Sequence, residues 1–200
     1  AFMEFKNSMA NRVSIGVLLC VLAPVTLILL SGAQATGMVA LSETQAAGIG
    51  LVVLLLMVTT AVATFVLMGI KGSDYEFFEY EEIETAYGVD GMVRERQERF
   101  RSTYAWHMVA GISLCVISAI PLFVTMIMVG ERNEFAYVAA IDMLLIMVAI
   151  GVFLIVRSSI VWGGFQMLLQ EGEYTVARKE ENRKNEHLDA IYWCTVVAIY

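Results

Sequence analysis

Long apolar runs alternate with polar stretches along the whole chain, and this alternation is its dominant pattern. Four runs are long enough to cross a bilayer, for which about 18 or more predominantly apolar residues are needed. A fifth run begins near the C-terminal end. The apolar runs cover residues 13–30, 46–70, 104–130, 135–156 and 188–200. We therefore predict an all-α, polytopic transmembrane helix bundle with five visible spans.

The polar stretches divide the chain into helix hairpins. We predict a lead at 1–12, a first hairpin at 13–70, an elbow at 71–103, a second hairpin at 104–169, a connector at 170–187 and the start of a third hairpin at 188–200. The third span is broken by Pro121. The fourth span is expected to extend past the bilayer, because apolar residues continue through Trp162 to Leu169.

The composition argues against a water-soluble fold. Of the 200 residues, 58% are hydrophobic and 16% are charged, and the mean hydropathy is +0.70. A helix of a small soluble domain keeps a polar face toward water. The formal net charge of −7 does not provide the basic footprint that nucleic-acid binding requires. We expect the lipid bilayer as the main partner and no direct contact of this chain with nucleic acid.

Lys and Arg are distributed unevenly between the two sides of the predicted bundle. All of them except Arg132 lie in the lead, in the elbow, in the connector or at position 157, just after the fourth apolar run. Basic residues concentrate in the cytoplasmic segments of membrane proteins. We therefore predict a cytoplasmic N-terminus, with the elbow and the connector on the same side.

The first two hairpins resemble each other in sequence. Residues 16–20 (Gly-Val-Leu-Leu-Cys) match 111–115 (Gly-Ile-Ser-Leu-Cys), and each segment is followed by a proline. Residues 54–58 (Leu-Leu-Leu-Met-Val) match 144–148 (Leu-Leu-Ile-Met-Val), and 192–194 (Tyr-Trp-Cys) begin a weaker third copy. This pattern predicts an internal repeat of helix hairpins. It also leads us to expect a sixth span beyond the last residue.

Three segments resemble a known family. They are 87–95 (Tyr-Gly-Val-Asp-Gly-Met-Val-Arg-Glu), 162–174 (Trp-Gly-Gly-Phe-Gln-Met-Leu-Leu-Gln-Glu-Gly-Glu-Tyr) and 191–194 (Ile-Tyr-Trp-Cys). Together they are similar to the multi-pass membrane module of Gram-positive bacterial proteins, which in many cases follows an N-terminal helix-turn-helix domain of the XRE type. The resemblance implies a six-span bundle in the bacterial plasma membrane, attached to a DNA-binding or other cytoplasmic domain. This chain departs from the pattern, because it has no helix-turn-helix segment and its third hairpin is incomplete.

The first half of the elbow has an aromatic side and an acidic side. Tyr75, Phe78 and Tyr87 recur at roughly helical spacing, and glutamates fill the positions between them. This face is a candidate docking surface for a partner domain. A solvated helix lying at the inner mouth of the bundle is the plainer interpretation.

The second half of the elbow predicts a helix with its own capping residue. Asp90 is the expected N-cap. Arg94 with Glu98 and Glu95 with Arg99 have the i,i+4 spacing of weakly stabilising ion pairs.

Asp142 is the one charged residue inside the predicted fourth span. A carboxylate at the centre of a spanning helix costs about 2.5–3.5 kcal/mol on insertion scales and usually faces a partner or water. Three interpretations stay open: a structural hydrogen bond, exposure at the outer interface, and a site for an ion, a proton or another ligand. Asp142 is therefore a candidate ligand-binding or coupling residue.

Prolines and cysteines supply the remaining candidates. Pro24 and Pro121 each leave a backbone carbonyl without its helical donor and bend a helix, so they either shape a cavity or form ordinary packing kinks. Cys20, Cys115 and Cys194 recur at one level of the repeat and are candidates for a buried cluster, although small apolar packing is the commoner role of such thiols. The Cys and His spacings match no zinc motif, so we expect no metal and no cofactor.

These features favour a non-enzymatic function. The sequence contains no acid pair, nucleophile–base pair or P-loop from which to build an active site. The leading hypothesis is an integral membrane sensor or regulatory module that passes a change in the membrane to a cytoplasmic domain, which is DNA-binding in many proteins of the resembled type. The alternative is a small secondary transporter or permease-like protein with a site near Asp142, because repeats and broken helices are common in transporters. A homo-oligomer is a further partner hypothesis.

Overall fold

A computed structural model gives the fold of residues 2–75, 88–128, 134–175 and 179–180. Over these residues the chain is all-helical, and no strand is present. The helices are α1 (Phe2–Ala35), α2 (Glu43–Ser73), α3 (Val89–Ile117), α4 (Ile120–Met128) and α5 (Glu134–Leu169), followed by a short 3-10 turn (Gly172–Tyr174). The predicted third hairpin at 188–200 and most of the connector lie outside the described residues, so the fifth span stays a prediction.

Among the described residues, four helical stretches are long and apolar enough to cross a membrane: α1, α2, α3 together with α4, and α5. Only 11–22% of the most apolar window of each stretch is buried inside the chain. Side chains such as Leu56 and Ile127, 62% and 83% exposed, would face water in a soluble protein. Lipid contact accounts for them, because hydrocarbon replaces water around a spanning helix. The structure thus supports a membrane-embedded helix bundle.

The helices pack as an antiparallel row in the spatial order α2, α1, α5, α3. Helix α1 lies between α2 and α5, and α5 lies between α1 and α3. We call the end of the row that holds the start of α1 the inner end, and the opposite end the outer end. Within the described part of the chain, α2 makes no extended contact with α3 or α5. The row is therefore open, and α2 and α3 form its edges.

Small residues set the closest helix contacts. A Cβ added at Gly50 of α2 would lie 3.0 Å from the Leu27 Cα of α1, and one added at Gly111 of α3 would lie 2.8 Å from the Gly151 carbonyl oxygen of α5. In hydrocarbon, helices associate through such close packing because no water is expelled between them. Ala46 is also buried, at 1% exposed, whereas Gly48 faces open space.

The helix boundaries have local causes. Ser42 caps α2: its hydroxyl accepts from the Gln45 N–H at 3.3 Å, and Gln45 Oε1 accepts from the Ser42 N–H at 3.1 Å, which is a capping box. Gly88, with φ of 87°, occupies the N-cap position of α3. The prediction that Asp90 is the cap is wrong, because Asp90 lies inside the first turn. A glycine reaches this left-handed conformation at no steric cost.

The two prolines have different effects. Pro24 lies within α1, which continues unbroken to Ala35. Pro121 follows a two-residue interruption between α3 and α4, so the predicted break in the third span is confirmed.

Helix α5 is 36 residues long, or about 54 Å at 1.5 Å per residue. This exceeds a hydrocarbon core of about 30 Å, so the predicted extension of the fourth helix past the bilayer is supported.

Candidate functional site

Asp142 lies in the contact between α5 and α1. It is one helical turn from Val138, whose Cγ1 atom would be 2.6 Å from a Cβ added at Gly32 of α1. Residues four apart share a helix face, so Asp142 is directed toward α1. Its residue surface is only 3% exposed, and neither carboxylate oxygen has a hydrogen-bond partner within the described part of the chain.

This burial bears on the three interpretations of Asp142. Its low exposure does not agree with a side chain that reaches the outer interface, and the described residues supply no structural hydrogen bond. Buried polar groups are nearly always satisfied, so an unsatisfied one calls for a specific explanation. A site for an ion, a proton or another ligand at Asp142 stays a prediction.

A second buried polar atom without a partner lies near the other end of the same interface. The Ser14 hydroxyl is fully buried and has no partner among the residues that the structure describes. Ser14 follows by one turn Ala10, which packs against Val161 and Phe165 of α5. The α1–α5 contact, which joins the two hairpins, therefore holds both of these polar groups. Within each hairpin, by contrast, glycines lie at the closest helix contacts.

The structure gives Cys20 and Cys115 different neighbours. The Cys115 sulfur packs directly on Gly151 of α5, where an added Cβ would lie 2.6 Å from Sγ. Cys20 is half-buried on α1, whose extended contacts are with α2 and α5. Both are free thiols. Cys194 lies outside the described residues, so the three-cysteine cluster stays a prediction.

Hydroxyl side chains accompany the break before Pro121. The Ser118 hydroxyl donates to the Cys115 carbonyl at 2.6 Å, and the Thr125 hydroxyl donates to the Pro121 carbonyl at 2.8 Å. Such bonds help to satisfy backbone oxygens at a helix interruption in lipid. Pro121 and Asp142 lie on neighbouring elements, since α4 packs on α5.

An aromatic cluster joins α1 to the end of α2 at the inner end. The Tyr75 ring stacks on Phe5 at 4.4 Å between centroids and meets Phe2 edge-on at 5.5 Å. Tyr75 is therefore half-buried in an intramolecular contact. Phe78 and Tyr87, the other two candidates for partner docking, lie outside the described residues.

A polar clasp joins α3 to the segment after α5, and the sequence did not reveal it. The Glu171 carboxylate accepts from Arg94 at 3.2 Å and from the Gln97 amide at 3.3 Å. Gln97 is 8% exposed. The chain turns at Gln170, whose φ is 51°, and this turn brings Glu171 back toward α3. The predicted Glu95–Arg99 pair is confirmed at 2.6 Å.

Cavities between the described helices open at the inner end. One, of about 280 Å³, lies between α1, α2 and α5, and its lining residues are Lys6, Met9, Gly69, Gly72, Ser73, Tyr75 and Met167. Another, of about 390 Å³, lies between α3 and α5 beside the clasp, and its lining includes Arg101 and Trp162. Trp162 stacks on Tyr104 with centroids 4.8 Å apart, as suits a tryptophan at the membrane interface.

Comparisons with known proteins leave the family open. Searches of protein-family models, of curated proteins and of solved structures returned no match to this chain.

Proposed function

We propose that the chain is an integral membrane sensor or regulatory module that couples the state of the bilayer to an attached cytoplasmic domain. One observation carries the proposal. The helices that cross the lipid continue past it and build the inner end themselves, without an intervening hinge in α1 or α5. A tilt of a spanning helix in the bilayer would therefore displace the clasp or the aromatic cluster.

Contacts between the elements support this coupling. Phe100 of α3 lies 5.8 Å from Phe165 of α5 between ring centroids, and Ala10 of α1 packs on the same Phe165. Three helices thus meet at one point of the inner end. Densely packed side chains transmit displacement, because interiors have low compressibility.

The hairpin repeat belongs to the same proposal and has support from two matching contacts. A Cβ added at Gly16 would lie 2.7 Å from Phe65 Cε1, and one added at Gly111 would lie 2.7 Å from Ile155 Cγ1. Phe65 and Ile155 each stand eleven residues after the start of the matched Leu-rich segments. Equivalent residues would thus make equivalent helix contacts in both hairpins.

The predicted orientation and setting complete the proposal. The concentration of Lys and Arg at the inner end supports its placement in the cytoplasm. The resemblance to bacterial modules attached to XRE-type domains supports a DNA-binding domain as the receiver of the signal.

A distance measurement between the inner ends of α1 and α3 tests the coupling. The exposed residues Asn7 and Arg96 are each changed to cysteine and spin-labelled, in a chain whose native cysteines are changed to alanine. The chain is reconstituted in phosphatidylcholine vesicles with short or long acyl chains. Helices respond to bilayer thickness by tilting. We therefore expect the Asn7–Arg96 distance distribution to differ between the short-chain and the long-chain bilayers. A control pair at Leu29 and Ile146 reports the outer half. An inner-end distance that is the same in both bilayers would refute the proposal.

Transport is the second candidate, and the buried, unpartnered Asp142 favours it. In this function the carboxylate would carry a proton or a small cation between the two hairpins. Proteoliposomes with a pH-sensitive dye inside test it: proton flux that is lost in Asp142→Asn but kept in Ser14→Ala supports transport. The absence of proton and cation flux from the unaltered chain rejects it.

A further inference from the structure

The open row leaves a groove between α2 and α5, with α1 as its floor. Both helices pack on α1 and make no extended contact with each other among the described residues. Lys6, Val13, Val17, Cys20 and Pro24 share one face of α1 by their spacing, and each is half-buried. This face is therefore only partly covered along the first two-thirds of the helix.

Apolar residues of α2 and α5 form the two walls of the groove near its inner end. On α2, Gly69 lines the cavity at the inner end, and Val66 and Val62 continue its helix face at 55% and 50% exposed. On α5, Gly163 stands one turn before Met167 of the same cavity, and a Cβ added there would meet no atom within 4 Å. Next to the cavity the walls are thus apolar and unobstructed, with room for the first methylene groups of an acyl chain.

The inner end of the groove is polar and holds a positioned cation. The Lys6 stem packs on the bare backbone of Gly164, where an added Cβ would lie 3.2 Å from Lys6 Cγ. The Lys6 ammonium lies 5.6 Å from the centroid of the Phe2 ring. Long basic side chains near helix ends place their charge at the membrane interface in this way. Ser73 and Tyr75 add polar atoms to the same cavity.

The level of this cavity matches that of lipid headgroups. The uncharged run of α2 ends at Ile70, and Lys71 is the first charge after it. Gly69, Gly72 and Ser73, which line the cavity, bracket this boundary. A cavity of about 280 Å³ at that level has room for a phosphate with a small substituent.

We propose that this groove binds an anionic phospholipid, with one acyl chain along α1 between α2 and α5 and the phosphate beside Lys6. Charge complementarity with Lys6 favours this lipid class, since a basic side chain at the membrane surface attracts anionic headgroups by about 1 kcal/mol. The inference deepens the proposed function by naming the membrane component that the bundle would sense. The lipid would bridge α2 and α5 and so fix the angle between the edge helix and the second hairpin.

Lipid retention measured by native mass spectrometry tests the proposal. The full chain is first placed in nanodiscs that contain equal amounts of phosphatidylglycerol and phosphatidylcholine. It is then extracted with detergent, and the detergent is removed in the mass spectrometer. We expect one phosphatidylglycerol to remain bound in preference to phosphatidylcholine. Lys6→Gln should reduce its retention about fivefold, the effect of one basic residue at an anionic surface. The matched control Lys71→Gln removes the same charge at the same level but outside the cavity, and it should leave retention unchanged.

A second pair of variants tests the shape of the site without altering charge. Gly69→Leu places an apolar side chain in the cavity with no clash in the fold, because nothing lies within 4 Å of its Cβ. We expect it to lower retention as Lys6→Gln does. Gly48→Leu, on the same helix and equally unobstructed, should have no effect.

Three outcomes would overturn the inference. These are equal retention of the two lipids, an equal loss in Lys6→Gln and Lys71→Gln, and displacement of the lipid by millimolar inorganic phosphate or glycerol phosphate, which would show that the groove adds nothing. None of them bears on the label distances that test the coupling. A constant label distance, in turn, would leave lipid retention intact, so the two proposals fail separately.

Discussion

At the scale of single residues, glycines decide how closely the helices approach. Gly111 and Gly151 face each other across the α3–α5 contact, and a Cβ on either would lie 2.8 Å from the carbonyl oxygen of the other. Gly48 has no neighbour within 4 Å of its Cβ position. Two chemically identical substitutions should therefore have opposite effects on stability.

We predict that Gly111→Ala lowers the free energy of unfolding by about 1–3 kcal/mol, the usual effect of overpacking. Gly48→Ala should leave it unchanged or raise it by up to about 1 kcal/mol, since alanine is the better helix former. Thermal unfolding in detergent, followed by circular dichroism, measures both. Equal effects of the two substitutions would show that the α3–α5 contact is looser than the structure describes.

Asp142 allows a second prediction at this scale. A polar group buried without a hydrogen bond destabilises a fold by about 1–3 kcal/mol. Asp142→Leu should therefore raise the free energy of unfolding by about that amount, and Ser14→Ala should raise it less, because a hydroxyl carries no charge. Denaturation midpoints in detergent give both values. A loss of stability in Asp142→Leu would reveal a partner for the carboxylate and return Asp142 to the structural interpretation.

At the scale of elements, the sequence predicted lengths and breaks better than it predicted contacts. The break at Pro121 and the extension of the fourth helix to Leu169 follow from local rules, namely the missing N–H of proline and the length of an apolar run. The N-cap of α3 was misassigned to Asp90, because a capping side chain and a left-handed Gly88 are both adequate helix starts.

The polar clasp shows why contacts between distant elements were missed. Arg94 was expected to pair with Glu98 on its own helix, but its carboxylate partner in the structure is Glu171, 77 residues away. Spacing along a helix identifies possible local pairs only. A buried amide such as that of Gln97, between the apolar residues Val93 and Phe100, was the available signal for a polar contact on that face.

The clasp should hold the first turns of α3 against the end of α5. We predict that Glu171→Gln increases amide hydrogen exchange over residues 89–100 about fivefold. Charge-assisted hydrogen bonds contribute about 1.5–3 kcal/mol, and we take a value nearer 1 kcal/mol because Arg94 is exposed and screened. Arg99→Gln breaks a fully surface pair and should change exchange by less than about twofold. Exchange that is unaltered in Glu171→Gln would mean that apolar packing alone positions α3.

At the scale of the whole molecule, the order of the helices is the feature that the sequence could not supply. A helix that is apolar on all sides has no stripe to mark its neighbours, and α2 and α5 are of this kind. The repeated Gly-x3-Cys segments indicated which faces pack within a hairpin. They did not indicate that α1 and α5, from different hairpins, would form the central contact. Asp142 and Ser14 are buried in that contact. Because α1 lies between α2 and α5, these two helices make no extended contact with each other, and the groove lies between them.

The central contact can be tested directly by disulfide formation. In a chain whose native cysteines are changed to alanine, Gly32→Cys with Val138→Cys places two thiols across the α1–α5 interface, since a Cβ at position 32 would lie 3.2 Å from Val138 Cβ. Disulfides form at Cβ separations of about 3.5–4.5 Å, so a small adjustment permits the bond. We expect rapid oxidation by a mild oxidant in native membranes, scored as a linked peptide by mass spectrometry. Gly48→Cys with Val138→Cys is the matched control and should not link, because position 48 faces open space on the far edge of the row. Linkage of the control pair would mean that the hairpins meet through α2 instead. No linkage of the first pair would mean that α1 and α5 do not pack at this position. Either result would remove the basis for the groove and for the buried position of Asp142.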